Sequence, residues 1–412
     1  MRLEGAFVAA LLCGGLCLSI DIGPAFALDQ PENASAPPAS SEIKILYLAG
    51  DYPKAEYLSL LQSQPGDDGK AGALLALGEI NITGKFLGFS FAMDVVTLER
   101  GADVTGKAHG LLDKYSVVVA DLNAPDLLAL ANAPAAQHAL IFDIHTSDDA
   151  LRQGKCARNV FHILPSTAMR ADALGQYLAK KGWRRWFVLH GPSAEDAAFA
   201  ADIHRAASRF GGKVVEDRAY NYDAGSRRVD TGYQQIATQM PLATQGAPAH
   251  DVVIVADSAD LFGDYLPYNT FEPRPIVGTQ GLSPVAWHPA FQEYSALQMQ
   301  HRFELAAHRK MTERDYAGWL AVRAIGEAVI RSGKANPVDL AEFLRSDAFG
   351  VAGFKGQALT FRRWDQQLRQ PVLLASALMV VTISPQDGFL HPKFFTDTLG
   401  YDEPETKCHF AQ

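Results

Sequence analysis

The chain has 412 residues, of which 48% are hydrophobic and 20% are charged, and its formal net charge is −9 at pH 7. This length suggests about two domains. The acidic excess argues against a protein that is drawn to nucleic acid or to an anionic membrane surface by its overall charge. An anionic ligand would have to be bound by a local cluster of basic side chains.

The first 27 residues have the pattern of a secretory signal peptide. Arg2 precedes the apolar run 6–20, and Ala25-Phe26-Ala27 fits the small-x-small cleavage pattern. The run is short for a membrane span, and no later run of ~20 apolar residues follows it. Residues 28–41 are rich in Pro, Ala and Ser, a composition that predicts a disordered linker.

Two cysteines are left after the predicted signal peptide, Cys156 and Cys408. Cys13 and Cys17 lie inside the signal and would be removed with it. In an oxidising compartment two cysteines favour a single disulfide, and two free buried thiols are the alternative. We predict the disulfide.

Apolar runs alternate with helical patterns along most of the chain. Predicted strands cover 43–48, 87–96, 117–121, 139–144 and 160–164, then 186–190, 213–217, 252–257 and 275–278. Predicted helices cover 69–81, 194–210, 289–309, 313–332 and 340–346, with helices also expected after Pro125, Thr167 and Asp260. Residues 354–384 alternate like antiparallel strands.

This order predicts an α/β protein with two doubly wound parallel-sheet lobes joined by a multi-strand hinge. The expected first lobe is 42–164 plus about 283–332. The second is 165–282 plus about 333–400, and 401–412 is a tail.

Residues 72–93, GALLALGEINITGKFLGFSFAM, resemble the first helix–turn–strand of type I periplasmic binding proteins of the branched-chain amino-acid receptor kind. The order of elements is similar along almost the whole mature chain. Four segments resemble more closely the branch associated with pyrroloquinoline quinone and quinoprotein alcohol dehydrogenases. They are 149–169, 278–288, 311–327 and 400–408.

The resemblance implies a periplasmic protein whose two lobes close on a small molecule. It implies pyrroloquinoline quinone as the ligand and an ABC transporter permease as the partner, with a quinoprotein alcohol dehydrogenase as a second partner. We expect a monomer that binds no nucleic acid, needs no cofactor to fold and has no catalytic residues.

One departure from the amino-acid receptors concerns the loop after the third strand. Those receptors usually place a pair of Ser or Thr residues there to hold the carboxylate of the ligand. Here the loop reads Asp121-Leu122-Asn123-Ala124-Pro125, with an acid and no such pair. This disfavours an amino acid as the ligand.

Open α/β sheets bind ligands at the carboxyl ends of their strands, so the loops there are the candidate site. Basic residues lie in the loops 146–158 and 218–228, and an aromatic ring lies in 279–288. Planar guanidinium groups suit a flat quinone that carries carboxylates. The predicted ligand-binding residues are Thr146, Arg152, Lys155, Arg218, Gln280 and Trp287, with Arg158, Arg170, Arg227 and Arg228 as further cations. The alternative is that most of these cations are solvated surface charge.

Lys155 carries a sharper hypothesis, since a neutral amine in a closed cleft adds to the carbonyl of an ortho-quinone. The alternative is a surface lysine beside a disulfide. The histidines are spread over separate elements without an HExxH pattern, so no metal site is predicted.

Three other functions stay open. They are a receptor for amino acids or another small carboxylate, a protein-binding accessory factor for a periplasmic dehydrogenase, and a secreted hydrolase. The hydrolase ranks last because the sequence offers no nucleophile–base pair.

Overall fold

The computed structural model describes residues 41–53, 65–221 and 230–410. The predicted signal peptide, the linker up to residue 40, and Arg227 and Arg228 lie outside these residues. Ser41, the last residue assigned to the linker, is the first residue of a strand.

The strands of the described chain are numbered in order. They are β1 (Ser41–Gly50), β2 (Phe89–Leu98), β3 (Val117–Asp121), β4 (Leu140–Asp143), β5 (Val160–His162), β6 (Arg185–His190), β7 (Lys213–Ala219), β8 (Val252–Ala256), β9 (Ile276–Gly278), β10 (Ser283–Val285), β11 (Val351–Ala352), β12 (Ala358–Phe361), β13 (Leu368–Arg369), β14 (Val372–Ser376) and β15 (Met379–Ser384).

The α-helices are numbered in the same way. They are α1 (Lys70–Phe86), α2 (Val104–Leu112), α3 (Ala124–Asn132), α4 (Thr167–Lys181), α5 (Ala194–Phe210), α6 (Asp230–Thr244), α7 (Ala296–Ala307), α8 (Glu313–Ser332) and α9 (Pro337–Arg345). None of these helices is both long and apolar enough to cross a membrane.

The first lobe is built on a parallel sheet with the strand order β2-β1-β3-β4-β5. Every residue of β3 is buried, because helices cover both faces of the sheet. Helices α1, α7 and α8 contribute to the core on one face, and α2 and α3 cover the other.

Glycines allow α1 and α8 to pack closely in this lobe. A Cβ atom on Gly72 would lie 1.8 Å from the backbone oxygen of Asp315, and one on Gly318 would lie 2.3 Å from the backbone oxygen of Gly69. Helix α8 begins with a capping box in which Thr312 and Asp315 satisfy each other's backbone N–H groups. The beginning of α8 is therefore fixed against the beginning of α1.

The second lobe contains a parallel sheet with the order β7-β6-β8-β9. Helices α4 and α5 pack on one face, while Ile236 and Met240 of α6 pack on the other together with Phe262 and Leu266. Both α4 and α5 are capped by serines: Ser166 accepts from the N–H of Met169, and Ser193 accepts from that of Asp196. The structure therefore confirms the predicted fold of two parallel-sheet lobes.

The hinge contains an antiparallel sheet of β10, β14 and β15. Strand β14 belongs to both lobes, because Val372 and Leu374 lie in the core of the second lobe whereas Leu373 lies in that of the first. This alternation follows from the two-residue period of a strand.

The segment 337–368 packs in the first lobe, whereas the sequence placed 333–400 in the second. Leu340 and Leu344 of α9, Phe361 of β12 and Leu368 of β13 all belong to the core of the first lobe. The sequence pattern does not say which of two apolar cores an amphipathic segment will join.

Some helices also differ from prediction. Helix α7 begins at Ala296 rather than at 289, because Tyr294 and Ser295 have positive φ angles of 52° and 66°. The helix expected after Asp260 is a single 3-10 turn, because the Asp257 carboxylate accepts the backbone N–H groups of residues 261, 262 and 263. Helices α2 and α6 were not predicted; α2 contains two glycines and α6 contains Pro241.

Cys156 and Cys408 form the predicted disulfide, with their Cα atoms 5.7 Å apart and their positions separated by 252 in sequence. The prediction of a single bond between these two residues is confirmed.

Candidate functional site

The candidate site lies where the carboxyl ends of the two sheets meet the hinge. The chain leaves the first lobe directly after β5 and leaves the second directly after β9. The crossovers are therefore attached to the carboxyl edge of each sheet, and the loops that follow the strands border the space between the lobes. This is the position at which open α/β sheets bind ligands.

On the first lobe, Asp121 at the end of β3 is the centre of a polar cluster. Its carboxylate lies 2.6 Å from Nδ1 of His145 and 3.6 Å from Nη1 of Arg314, and it accepts a hydrogen bond of 3.0 Å from the hydroxyl of Tyr47. Burial alone would raise the pKa of Asp121, but the hydrogen bond from His145 and the charge of Arg314 hold it below its usual value. Asp121 is therefore ionised, and Nδ1 of His145 is the donor.

His145 contacts Asp121 through Nδ1, and its other ring nitrogen, Nε2, is not part of this pair. Its side chain is 21% exposed, and its ring lies edge-on to that of Tyr52 at 5.6 Å. The Tyr52 hydroxyl donates to Asp126 at 2.6 Å and accepts from the N–H of Asn123 at 3.1 Å. Tyr52 thus connects the loop after β1 to the loop after β3, and the aromatic rings border the cleft.

On the second lobe, a pair of serine hydroxyls lies at the strand ends. The Oγ atoms of Ser193, at the beginning of α5, and Ser258, after β8, are 3.3 Å apart. Asp196 fixes Ser258 by accepting from both its N–H and its hydroxyl at 2.7 Å. The hydroxyl pair that is missing from the loop after β3 is thus present in the opposite lobe.

Arg152, predicted to bind the ligand, is only 2% exposed. Its guanidinium group donates to the Gln367 side chain at 2.6 Å and to the backbone oxygens of Thr146, Asp148 and Leu164 at 2.9, 2.9 and 3.2 Å. These contacts join the loop after β4 to the first crossover and to the β12–β13 turn. The surroundings of Arg152 are those of a structural residue.

Arg218 lies in β7 rather than in a loop. It donates to the backbone oxygens of Ala243 and Gln245 at 2.6 and 3.1 Å, pairs with Glu216 at 2.8 Å and covers the ring of Phe187. These contacts attach the end of α6 to the sheet. The contacts of Arg218 are within the second lobe, whereas the Asp121 cluster and Arg152 belong to the first.

The other predicted residues are also dispersed. Lys155 is exposed beside Cys156, against apolar residues of α3. Trp287 is 2% exposed and stacks on Tyr316 in the core of the first lobe, with 4.7 Å between ring centroids. The buried Thr146 side chain accepts from the N–H of Asp148, and Gln280 donates to the backbone oxygen of Asp257 at 2.9 Å.

The further cations do not join these residues. Arg158 is exposed, and Arg170 forms an ion pair of 2.5 Å with Glu313. In the described part of the chain, no three His, Cys, Asp or Glu side chains are grouped so that they could hold a metal ion.

Sequence reasoning missed the Asp121 cluster as a site. Asp121 and His145 directly follow β3 and β4, so the strand-end rule could have found them. No sequence pattern indicates Arg314, because it lies in α8 and its position beside Asp121 depends on how α8 packs against α1.

Half of the chain is similar in sequence to a known protein family. Residues 58–262, about half of the chain, match the family model described as "Periplasmic binding protein". No curated protein sequence matches the chain.

Several solved structures share the fold at low identity. A branched-chain amino-acid ABC transporter periplasmic ligand-binding protein from Burkholderia xenovorans has a TM-score of 0.68 and 14% identity. The match covers 89% of this chain and 99% of that protein. An ABC transporter substrate-binding protein from Desulfitobacterium hafniense in complex with Leu has a TM-score of 0.61 and 18% identity, covering 82% and 99%. An ABC transporter solute-binding protein from R. palustris in complex with benzoate has a TM-score of 0.61 and 12% identity, covering 90% and 100%. At these identities the likeness establishes the fold.

Proposed function

Because residues 58–262 belong to the periplasmic binding protein family and the described chain has the two-lobed type I fold, we propose that this protein captures a small organic solute between its lobes for an ABC transporter permease. The family implies a periplasmic location. The observation that carries the proposal is the cluster of Asp121, His145 and Arg314 on one lobe with the hydroxyls of Ser193 and Ser258 on the other.

The chemistry of this cleft suits a solute that carries both acceptor and donor groups. Arg314 donates N–H groups, and imidazole and hydroxyl groups serve as donors or acceptors. The ionised Asp121 accepts hydrogen bonds and favours a partner with positive charge. The ring of Tyr52 offers an aromatic edge beside His145.

Pyrroloquinoline quinone is our first candidate for the solute. The support for it is the resemblance carried by 149–169, 278–288, 311–327 and 400–408. Arg314 lies within the third of these segments, and a guanidinium group matches the carboxylates of the quinone. The predicted cations Arg152 and Arg218 do not add support, since their N–H groups contact protein oxygens.

A small amino acid or aromatic carboxylate is the second candidate. Structures with this fold are described in complex with Leu and with benzoate. In such a solute an ammonium group would pair with Asp121 and a carboxylate with Arg314 or His145. A third function, that of a protein-binding accessory factor, is tested by the same experiment.

The test is calorimetric titration of the purified protein with pyrroloquinoline quinone, leucine and benzoate. We expect His145→Ala and Arg314→Ala each to weaken binding of the accepted solute by roughly tenfold or more, because losing one partner of a desolvated charged contact costs ~2–5 kcal/mol. His138→Ala, at an exposed histidine outside the cleft, is the matched control and should bind as wild type.

The titration results distinguish between the candidate functions. Wild-type affinity in both cleft variants would place the site elsewhere. Binding of leucine or benzoate without the quinone would select the second candidate. No binding of any of the three, together with capture of a quinoprotein dehydrogenase, would favour the accessory factor.

A further inference from the structure

The last described segment of the chain first runs between the second lobe and Arg362 of the first, which donates to the backbone oxygens of Leu399 and Tyr401 at 2.6 and 3.2 Å. Leu399 lies in the core of that lobe. The N–H of Gly400 donates to Asp172 of α4 at 2.8 Å, and its backbone oxygen accepts from Arg209 of α5 at 2.6 Å. The ring of Tyr401 is covered by the guanidinium group of Arg205, 4.5 Å from its centroid.

The same segment then reaches the β4–β5 loop of the first lobe. Glu405 still contacts the second lobe, through an ion pair of 3.9 Å with Arg209. The N–H of Lys407 donates to the side chain of Gln153 at 2.8 Å, and Cys408 is bonded to Cys156. Gln153 and Cys156 both lie between β4 and β5, so these contacts belong to the first lobe.

The crossing is short. From residue 405 to residue 407 an extended chain spans at most ~7 Å. The disulfide is enclosed as well, since Cys408 is only 6% exposed. The tail therefore has little slack with which to follow a separation of the lobes at this point.

Carboxyl groups of both lobes lie near Tyr401 of the tail. Asp149 of the first lobe accepts from the N–H of Ala168 in α4 of the second at 2.9 Å, and its charge helps to raise the pKa of the neighbouring Asp202 in α5. Arg205 lies 3.8 Å from Asp202 and 2.8 Å from Asp172. The two lobes are therefore in direct contact where the tail passes from one to the other.

We propose that residues 399–408 form a strap, a connection between the lobes in addition to the crossovers after β5 and β9 and the shared strand β14, which the Cys156–Cys408 bond closes and which restrains opening of the cleft. The crossovers permit hinge motion, whereas the strap limits its extent on one side. Release of the strap would increase the population of the open form in the absence of any solute.

The test measures the distance between the lobes without solute, so it does not depend on the proposed function. Spin labels are attached at Lys107→Cys on α2 and Lys213→Cys on β7, both exposed, and their separation is measured by pulsed electron paramagnetic resonance. The native cysteines are bonded and take no label. The comparison is the same doubly labelled protein with Cys156→Ser and Cys408→Ser, so that the introduced cysteines are the only thiols of the predicted mature chain. We expect the distribution of label-to-label distances to shift to longer values and to broaden.

A second variant keeps the bond and lengthens the strap. Eight Gly and Ser residues inserted between Glu405 and Thr406 add roughly 15 Å of flexible reach, and we expect the same shift. The same insertion after Leu378, at the exposed tip of the β14–β15 hairpin, is the matched control and should leave the distribution unchanged.

The insertion variant separates the strap from the general stability that the disulfide provides. If it keeps the wild-type distribution while its Cys156–Cys408 bond is intact, the strap proposal is overturned, whatever the double-serine variant shows. A shift in the Leu378 insertion as large as that in the strap insertion would overturn it too.

Discussion

At the scale of single residues, Arg152 is the clearest case of a charge whose surroundings decide its role. Its N–H groups are used by Gln367 and by three backbone oxygens, and Nη2 lies 3.8 Å from the buried Asp143. Arg152→Ala would remove the donor to the Gln367 side chain and to the backbone oxygen of Thr146, and would leave the buried Asp143 without its neighbouring positive charge. We expect it to lower the free energy of unfolding in urea by about 3–5 kcal/mol.

Arg158→Ala is the matched control for this variant. Arg158 is exposed and six positions away, and its truncation should change stability by no more than about 0.5 kcal/mol. Solute affinity of Arg152→Ala decides between the two roles. A loss of affinity at unchanged stability would support the binding role that the sequence predicted for Arg152.

Asp202 makes the stability of the protein depend on pH. Burial, followed by the neighbouring Asp149, raises the pKa of Asp202 to about 8, whereas an exposed aspartate titrates near ~4. The folded state therefore keeps a proton that the unfolded chain releases between these values. Stability should fall as the pH rises through this window, as measured by urea unfolding at about pH 6, 7, 8 and 9.

Asp202→Asn tests the assignment. The amide cannot ionise, so we expect a flatter dependence above about pH 6 and a more stable protein than wild type at about pH 8. Asp172, whose pKa burial raises to about 6, contributes with the same sign mainly below that pH. A wild-type slope above pH ~6 in the Asn variant would assign the dependence to another group.

At the scale of elements, the contact of α1 with α8 depends on glycine at particular positions. An alanine at Gly72 would place its Cβ 1.8 Å from the backbone oxygen of Asp315, so the helices would have to move apart. We expect Gly72→Ala to destabilise the protein by about 1–3 kcal/mol in thermal or urea unfolding.

Gly78→Ala is the control on the same helix. Nothing lies within 4 Å of a Cβ atom at Gly78, so the substitution should stabilise the protein by up to about 1 kcal/mol through helix propensity alone. Equal effects of the two substitutions would show that α1 and α8 are not packed as closely as described.

The sequence predicted those elements whose signals are local. Strand β3, helix α5 and helix α8 have the predicted bounds, because a buried apolar run or a capping residue marks each end. The start of α7 depends on left-handed backbone at Tyr294 and Ser295, which no local pattern indicates. The lobe that α9 joins depends on long-range packing.

The candidate site was predictable only in part. The strand-end rule indicates the right edges of the sheets, but the choice of side chains there was made by charge. Charge does not reveal that the guanidinium group of Arg152 donates a hydrogen bond to Gln367, 215 residues away in sequence. Equally, it does not reveal that the packing of α8 places Arg314 beside Asp121.

At the scale of the whole molecule, the hinge predicts a change of shape on binding. Crossovers after β5 and β9 and the shared strand β14 connect the lobes. We expect a saturating solute to lower the radius of gyration measured by small-angle scattering, because the lobes close on it.

The controls for this measurement are the His145→Ala variant and a solute that does not bind. At the lowest solute concentration that saturates the wild-type protein, the variant should show a smaller change in the scattering profile than wild type, and the solute that does not bind should cause none. An unchanged profile in the wild-type protein, with binding established by calorimetry, would describe a rigid scaffold and would favour the accessory-factor function.

The division of each lobe along the chain has a consequence for the order of folding. The sheet of the second lobe has helices on both faces that come from nearby sequence, α4 and α5 on one and α6 on the other, and of the described residues only Val372, Leu374 and Leu399 are added to these two cores from beyond the hinge. One face of the first sheet needs α7, α8 and residues as far as Leu373 to complete its core. Contacts between distant residues form late. The second lobe should therefore fold while the first, though made earlier, still exposes an apolar face that is open to chaperones and to aggregation.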